Sequence, residues 1–205
     1  MKIEIIGSTK PGYILPTSDA LEFGAKFAGI CYSQEDWADL DKEEIDKIKN
    51  RIKRTVNEGH HSVYGHPKYN FYFKGLPKIL AMFLNNEKVY DTSEKSARYT
   101  QMIPENEKEI KLYNKWKGIF ENQIKKVHPE VKKRRRQKLT MENARYLTSI
   151  FTPTLMGHTL GFGQLNYIMH FFKEFIANAE NSDFNQRIKK SMAEFNQGMS
   201  AFYVP

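Results

Sequence analysis

Residues 59–75 read GHHSVYGHPKYNFYFKG, and this stretch decides the class of fold. Within it the hydrophobic pattern changes period. Tyr69, Phe71 and Phe73 alternate with Asn70, Tyr72 and Lys74, the period-two pattern of a strand with one buried face. Immediately upstream, Ile45, Ile48, Ile52 and Val56 recur at helical spacing, Asp41 and Glu44 form a capping-box-like start, and Gly59 supplies the stop. A helix that ends in a histidine-rich turn and passes directly into an aromatic strand predicts an α+β chain.

Working outward from that core, Met1-Lys2-Ile3-Glu4-Ile5-Ile6 alternates like a second strand, and residues 7–16, rich in Gly, Pro, Ser and Thr, read as a loop. A helix is predicted over 18–32, where Leu21, Ala25, Ala28 and Tyr32 lie beside Phe23, Phe27 and Ile30 to give a broad buried face. Downstream, Gly75 closes the aromatic strand, Pro77 suits a first helical turn, and 79–84 continues as a short apolar helix before a polar stretch over 85–96. A long amphipathic helix is expected over 107–127. Pro129 interrupts the pattern, and two further helices follow near 154–179 and 184–197. No internal repeat is visible, and the length predicts one domain, 1–205, with a sizeable core.

Composition narrows the functional classes. No apolar run approaches the roughly 18 residues needed to span a bilayer, so no membrane partner is expected. The N-terminus lacks the apolar core and cleavage site of a signal peptide, and the chain is expected to be cytoplasmic. A single cysteine, Cys31, excludes an internal disulfide and any multi-cysteine metal site, and is expected to serve packing. The formal net charge of +8 points to anionic partners. Between 125 and 138 the sequence KKVHPEVKKRRRQK sets eight basic residues against one acid, whereas 35–46 is acidic. The basic run is read most simply as a solvated face or loop, with nucleic-acid binding as the alternative. Glu35, Asp36 and Asp39 around Trp37 are read as solvated surface, and His158, His170, Phe171, Phe172 and Phe175 as helix packing. His60, His61 and His66 lack an acid at a recognised ligand spacing, so no metal site is expected.

Three segments carry a resemblance. Gly59-His60-His61-Ser62-Val63-Tyr64-Gly65-His66 is similar to G-H-x-S/T-x-x-E-H followed by an aromatic strand, with Gly65 at the glutamate. Ser96-Ala97-Arg98-Tyr99 is similar to the end of R-H-R-x-x-S-x-N-x-x-S-x-R-Y, with Glu94 keeping a common acid. Asn86, Glu87 and Lys88 then stand at R-H-R, Asp91 at the middle serine and Ser93 at the asparagine. Glu142-Asn143-Ala144-Arg145 is similar to E-x-A-R, followed by Thr154 and Thr159, with Gly161 and Gly163 at a later N-x-R and Phe172 at an arginine beyond it. Together these resemble the flavin-dependent thymidylate synthase (ThyX) family over most of the chain.

The resemblance implies a ThyX-like subunit with a small antiparallel sheet and a predominantly helical remainder. It implies that Ser96, Arg98 and Arg145, with Glu94 and Tyr99 beside them, hold a pyrimidine nucleotide such as deoxyuridylate, and that His60 and Ser62 survive from the half of the site that holds FAD. Family activity uses reduced FAD as hydride donor and methylenetetrahydrofolate as carbon donor at uracil C5. The family's sites draw on several protomers, which implies a homotetramer or a ThyX-like hetero-partner that supplies R-H-R in trans. Three functions are therefore carried forward: a pyrimidine-nucleotide enzyme, a catalytically inactive binding or regulatory subunit, and a nucleic-acid-binding module that uses 132–138.

Overall fold

The computed structural model describes residues 1–9, 17–86 and 89–205. Four strands, β1 (Lys2–Ser8), β2 (Lys68–Pro77), β3 (Tyr90–Glu94) and β4 (Pro153–Gly161), form an antiparallel sheet in the order β1-β2-β4-β3. Eight helices accompany them among the described residues: α1 (Thr17–Tyr32), α2 (Trp37–Asp41), α3 (Ile45–Asn57), α4 (Lys78–Leu84), α5 (Glu107–Val127), α6 (Lys133–Ala144), α7 (Phe162–Asn178) and α8 (Asp183–Gly198). The architecture is α+β, as the period change at 59–75 implies.

β2 lies inside the sheet because its alternation leaves one continuous apolar face. Tyr69, Phe71 and Phe73 are buried there, and Phe73 packs on Phe195 of α8 with ring centroids 5.9 Å apart. Phe172 of α7 meets the same Phe195 edge-on at 5.3 Å, so sheet and helices share one aromatic core. Gly75 does not close the strand as expected. It takes φ +74° at a bulge between Lys74 and Leu76, and pairing resumes to Pro77.

Several boundaries differ from the sequence expectations. The helix expected to begin at 154 begins at Phe162, because 153–161 is β4, flanked on both sides by β2 and β3. β3 falls in the polar stretch; as an edge strand it pairs on one side only and keeps Asp91, Thr92 and Ser93 exposed. Asp41 ends α2 rather than starting α3, and Asp36 caps α2 by accepting from the backbone N–H groups of Ala38 and Asp39. The buried face of α1 is made of small residues, Ala20, Gly24, Ala25, Ala28 and Gly29, while Ile30 and Tyr32 are exposed. Cys31 is exposed too and packs nothing. His158 lies on β4, and His170 and Phe171 are exposed on α7, so the helix packing expected of that group is made by Phe172, buried, and Phe175, partly buried against the core. The loop expected over 7–16 and the Glu87 and Lys88 positions lie wholly or partly outside the described residues.

Candidate functional site

The motif residues gather in two places. The first is the turn after β3. Ser96 accepts from the Tyr99 and Thr100 backbone N–H groups at its carbonyl and from the Arg98 N–H at its Oγ, 3.3 Å away, so a tight turn presents the Arg98 side chain outward. The turn is anchored to the sheet by the Lys95 N–H, which donates to the Leu155 carbonyl at 2.9 Å. Glu94 is not free: Lys78 at the start of α4 donates to its Oε1 at 2.6 Å.

Tyr99 ties this turn to α6. Its ring lies between Arg98 and Lys138, with each cation 5.4 Å from the ring centroid. Seven residues beyond Lys138, where α6 has ended and the 3-10 turn Arg145–Leu147 begins, stands Arg145. The Arg145 guanidinium lies 4.9 Å from the Tyr146 ring centroid and donates from Nη2 to the Tyr146 hydroxyl, while its Nε is buried with no hydrogen-bond partner. Among the described residues neither Arg98 nor Arg145 pairs with a carboxylate. A guanidinium group without a carboxylate partner is the side-chain chemistry that suits a phosphate-bearing anion. Lys138 is the cation beside Tyr99 that sequence reasoning missed. A run of cations conceals which one meets the ring.

The second place is the 3-10 turn His61–Gly65, which follows α3. His60 is hydrogen-bonded through Nδ1 to the Tyr32 hydroxyl at 2.6 Å, and Arg54 covers the Tyr32 ring at 4.8 Å. His66 stacks on Phe27 at 3.9 Å, and Ser62 is exposed. The turn presses on the β4–α7 junction: a Cβ at Gly161 would meet the Gly65 carbonyl oxygen at 3.2 Å, and one at Gly163 the Tyr64 carbonyl at 3.5 Å. Beside it lies a cavity of about 350 Å³ walled by Val56, Tyr64, Phe162 and Tyr167. Two of its polar edges are already bonded, since Asn166 holds the Phe202 carbonyl and the Val204 N–H, and His170 holds the Val204 carbonyl. No lysine or arginine lines it. Phe172 is wholly within the core and belongs to neither place.

These two places do not meet within one chain. The Ser96 turn adjoins Leu155 near the start of β4, the histidine turn adjoins Gly161 at its end, and the strand between, at about 3.3 Å per residue, separates them by roughly 20 Å.

Comparison with known proteins follows the same outline. The family model described as thymidylate synthase complementing protein (Thy1) matches residues 14–198. A flavin-dependent thymidylate synthase from Pyrococcus abyssi is 25% identical over 134 residues, which cover 59% of this chain and 53% of the relative. The match thus spans about half the length of that curated relative. Among solved structures, ThyX from Helicobacter pylori, complexed with FAD and dUMP, superposes with a TM-score of 0.56 at 16% identity, covering 98% of each chain. A UMP/dUMP methylase, PolB, from Streptomyces cacaoi bound with 5-Br dUMP gives 0.59 at 13% identity, covering 98% of this chain and 91% of its own. At these identities the two structures establish the fold.

Proposed function

The chain belongs to the Thy1 family, and from that premise we propose that it binds a pyrimidine nucleoside monophosphate, with Ser96, Arg98 and Arg145 as the phosphate and sugar contacts. Lys138 joins them, and Glu94 and Tyr99 border the site. The observation that carries this reading is the pair of arginines without carboxylate partners, Arg98 on a Tyr99 ring that Lys138 of α6 also meets, and Arg145 just after the end of α6 with its Nε buried and unbonded. A buried donor without an acceptor costs about 1–3 kcal/mol, which an incoming phosphate would offset. Solved relatives that bind dUMP or its bromo analogue support the choice of base class.

FAD, which the Helicobacter pylori relative holds, does not fit the residues present here. The cavity beside the histidine turn offers no lysine or arginine to a pyrophosphate, its Asn166 and His170 are bonded internally, and His60 is already engaged by Tyr32. The glycines at 65, 161 and 163 bring no side-chain donor. The principal reading is therefore a nucleotide-binding subunit that does not itself run the flavin reaction. A second reading, flavin-dependent C5 methylation with methylenetetrahydrofolate as carbon donor, is favoured by one observation: the turn after β3 that carries Arg98 and the histidine turn adjoin opposite ends of β4, roughly 20 Å apart, so a complete site needs a second subunit. That subunit would be a copy in a homotetramer or a ThyX-like hetero-partner.

Calorimetric titration of the purified chain with dUMP and UMP tests the first reading, using Arg98→Ala and Arg145→Ala as comparisons. Saturable binding that both variants weaken supports it, and absence of binding by every pyrimidine monophosphate sinks it. An absorption spectrum with and without added FAD separates the two readings. A colourless protein that binds dUMP fits the first, and a yellow one restores the second.

A further inference from the structure

The basic run is the motif that the mononucleotide site leaves over. It is neither a loop nor a simple continuation of the preceding helix: Lys125 and Lys126 close α5, and after a short turn Lys132 to Arg135 open α6. These six cations are exposed, and the neighbouring acids are engaged elsewhere, Glu130 with His128 and Glu121 with Arg136. Among the described residues none of the six has a carboxylate partner. Their placement works against the helix. The first turn of α6 holds no acid and its N-cap, Lys132, makes no side-chain capping bond, so Lys133, Arg134 and Arg135 crowd the positive end of the helix dipole. A face kept only for solubility would carry such charges more cheaply at the helix C-terminus.

A second, independent feature lies beside α6 and just past its end. Tyr99, which meets Lys138 of α6 from the turn after β3, is 59% exposed although two cations approach its ring, and Tyr146, beside Arg145 in the 3-10 turn that follows α6, is 75% exposed. Arg134 and Lys138 stand four residues apart, which aligns them on one side of α6. The 12-residue helix is about 18 Å long, the reach of roughly five phosphates of one strand.

We propose that this side of α6 binds single-stranded nucleic acid, with phosphates along Lys132 to Arg135 and Lys138 and bases stacked on Tyr99 and Tyr146. Exposed rings set among cations suit unpaired bases, whereas a duplex has its bases already stacked. An anionic membrane is the poorer partner, because residues 132–138 offer no apolar side chain to insert. The surface shares Tyr99 and Lys138 with the mononucleotide reading, but Lys133, Arg134 and Arg135 lie outside those contacts.

The test is fluorescence anisotropy of the full chain with a labelled oligothymidylate, an oligouridylate and a duplex of equal length, titrated across a range of salt. The expected result is preference for the single strands and a log–log salt slope of about −3, as for four or five neutralised phosphates. The triple variant Lys133→Gln, Arg134→Gln, Arg135→Gln should lose at least about tenfold in affinity. It should keep its dUMP affinity and have an equal or higher thermal midpoint, because repulsive charges leave the helix start. Tyr99→Ala should weaken single-strand binding and Tyr99→Phe restore it. Binding unchanged in the triple variant, a flat salt response, or a duplex bound as tightly as a single strand would each overturn the proposal. Loss of dUMP binding with retained single-strand binding would remove the mononucleotide reading and leave this one standing.

Discussion

Gly161 and Gly65 meet backbone to backbone: a Cβ on Gly161 would stand 3.2 Å from the Gly65 carbonyl oxygen, whereas a Cβ on Gly65 would have nothing within 4 Å. The two positions are therefore not equivalent. Gly161→Asn must push the histidine turn away from β4 and should cost about 1–3 kcal/mol. Gly65→Glu projects into open space and should change stability by no more than about 0.5 kcal/mol. Thermal or urea denaturation of the two variants checks this, and equal losses would show that the turn is not seated on Gly161.

Arg145→Lys keeps the charge but removes the planar fork and the buried Nε. Affinity for dUMP should fall by about tenfold or more, the worth of one charged hydrogen bond. The thermal midpoint should not fall, because the unbonded Nε that the substitution removes is a cost in the free protein and the bond lost from Nη2 to the exposed Tyr146 hydroxyl is worth little. Calorimetry reads the first quantity and a melting curve the second; an unchanged affinity would remove Arg145 from the site.

His158 is 2% exposed, stacks on Tyr90 at 5.2 Å and has both ring nitrogens unbonded. Burial lowers its pKa to about 4, against a small opposing pull from Asp91. The folded state thus resists a proton that the unfolded chain accepts. The resulting stability is complete above about pH 6.5 and is lost as pH falls towards 4, a contribution of about 3 kcal/mol at most. His158→Phe keeps the ring and removes the titration, so its stability should decline less between pH 6.5 and 4 than that of the parent. Parallel pH profiles for the two proteins would count against this.

Arg51 and Glu43 form a two-point ion pair with both N–O distances 2.7 Å, and Arg51 also donates to the Ala25 carbonyl of α1. The bond from Arg51 holds the Glu43 carboxyl below its ordinary pKa. Its stabilisation is present above the usual carboxylate pKa and disappears as pH falls through the lowered value. Arg51→Met leaves a largely buried carboxylate alone and should cost about 3–5 kcal/mol at neutral pH, with the deficit narrowing in acid. A urea midpoint measured at both pH values decides it.

The aromatic strand and most of the long helices are legible in the sequence because each keeps one apolar face over its whole length. β4 is not: Thr154 and His158 occupy buried positions between Met156 and Leu160, so the period of two is hidden by polar residues that tertiary pairing takes inside. β3 is hidden for the opposite reason, since an edge strand with exposed Asp91, Thr92 and Ser93 has no apolar face to show. At the site, motif likeness finds Ser96, Arg98 and Arg145 but not Lys138, Tyr32 or Lys78. Each of these acquires its partner only when helix, turn and sheet are packed together.

β4, the last strand to be synthesised, takes an interior place between β2 and β3. The phenylalanines of β2 therefore leave the ribosome long before either the strand or the α7 and α8 helices that cover them. At about 5–20 residues per second the stretch from the end of β2 to the end of β4 takes about 4–17 seconds, during which β1 is the only neighbouring strand of β2 already made. Expression yield should thus respond to translation speed between residues 77 and 161 more than to codon choice elsewhere.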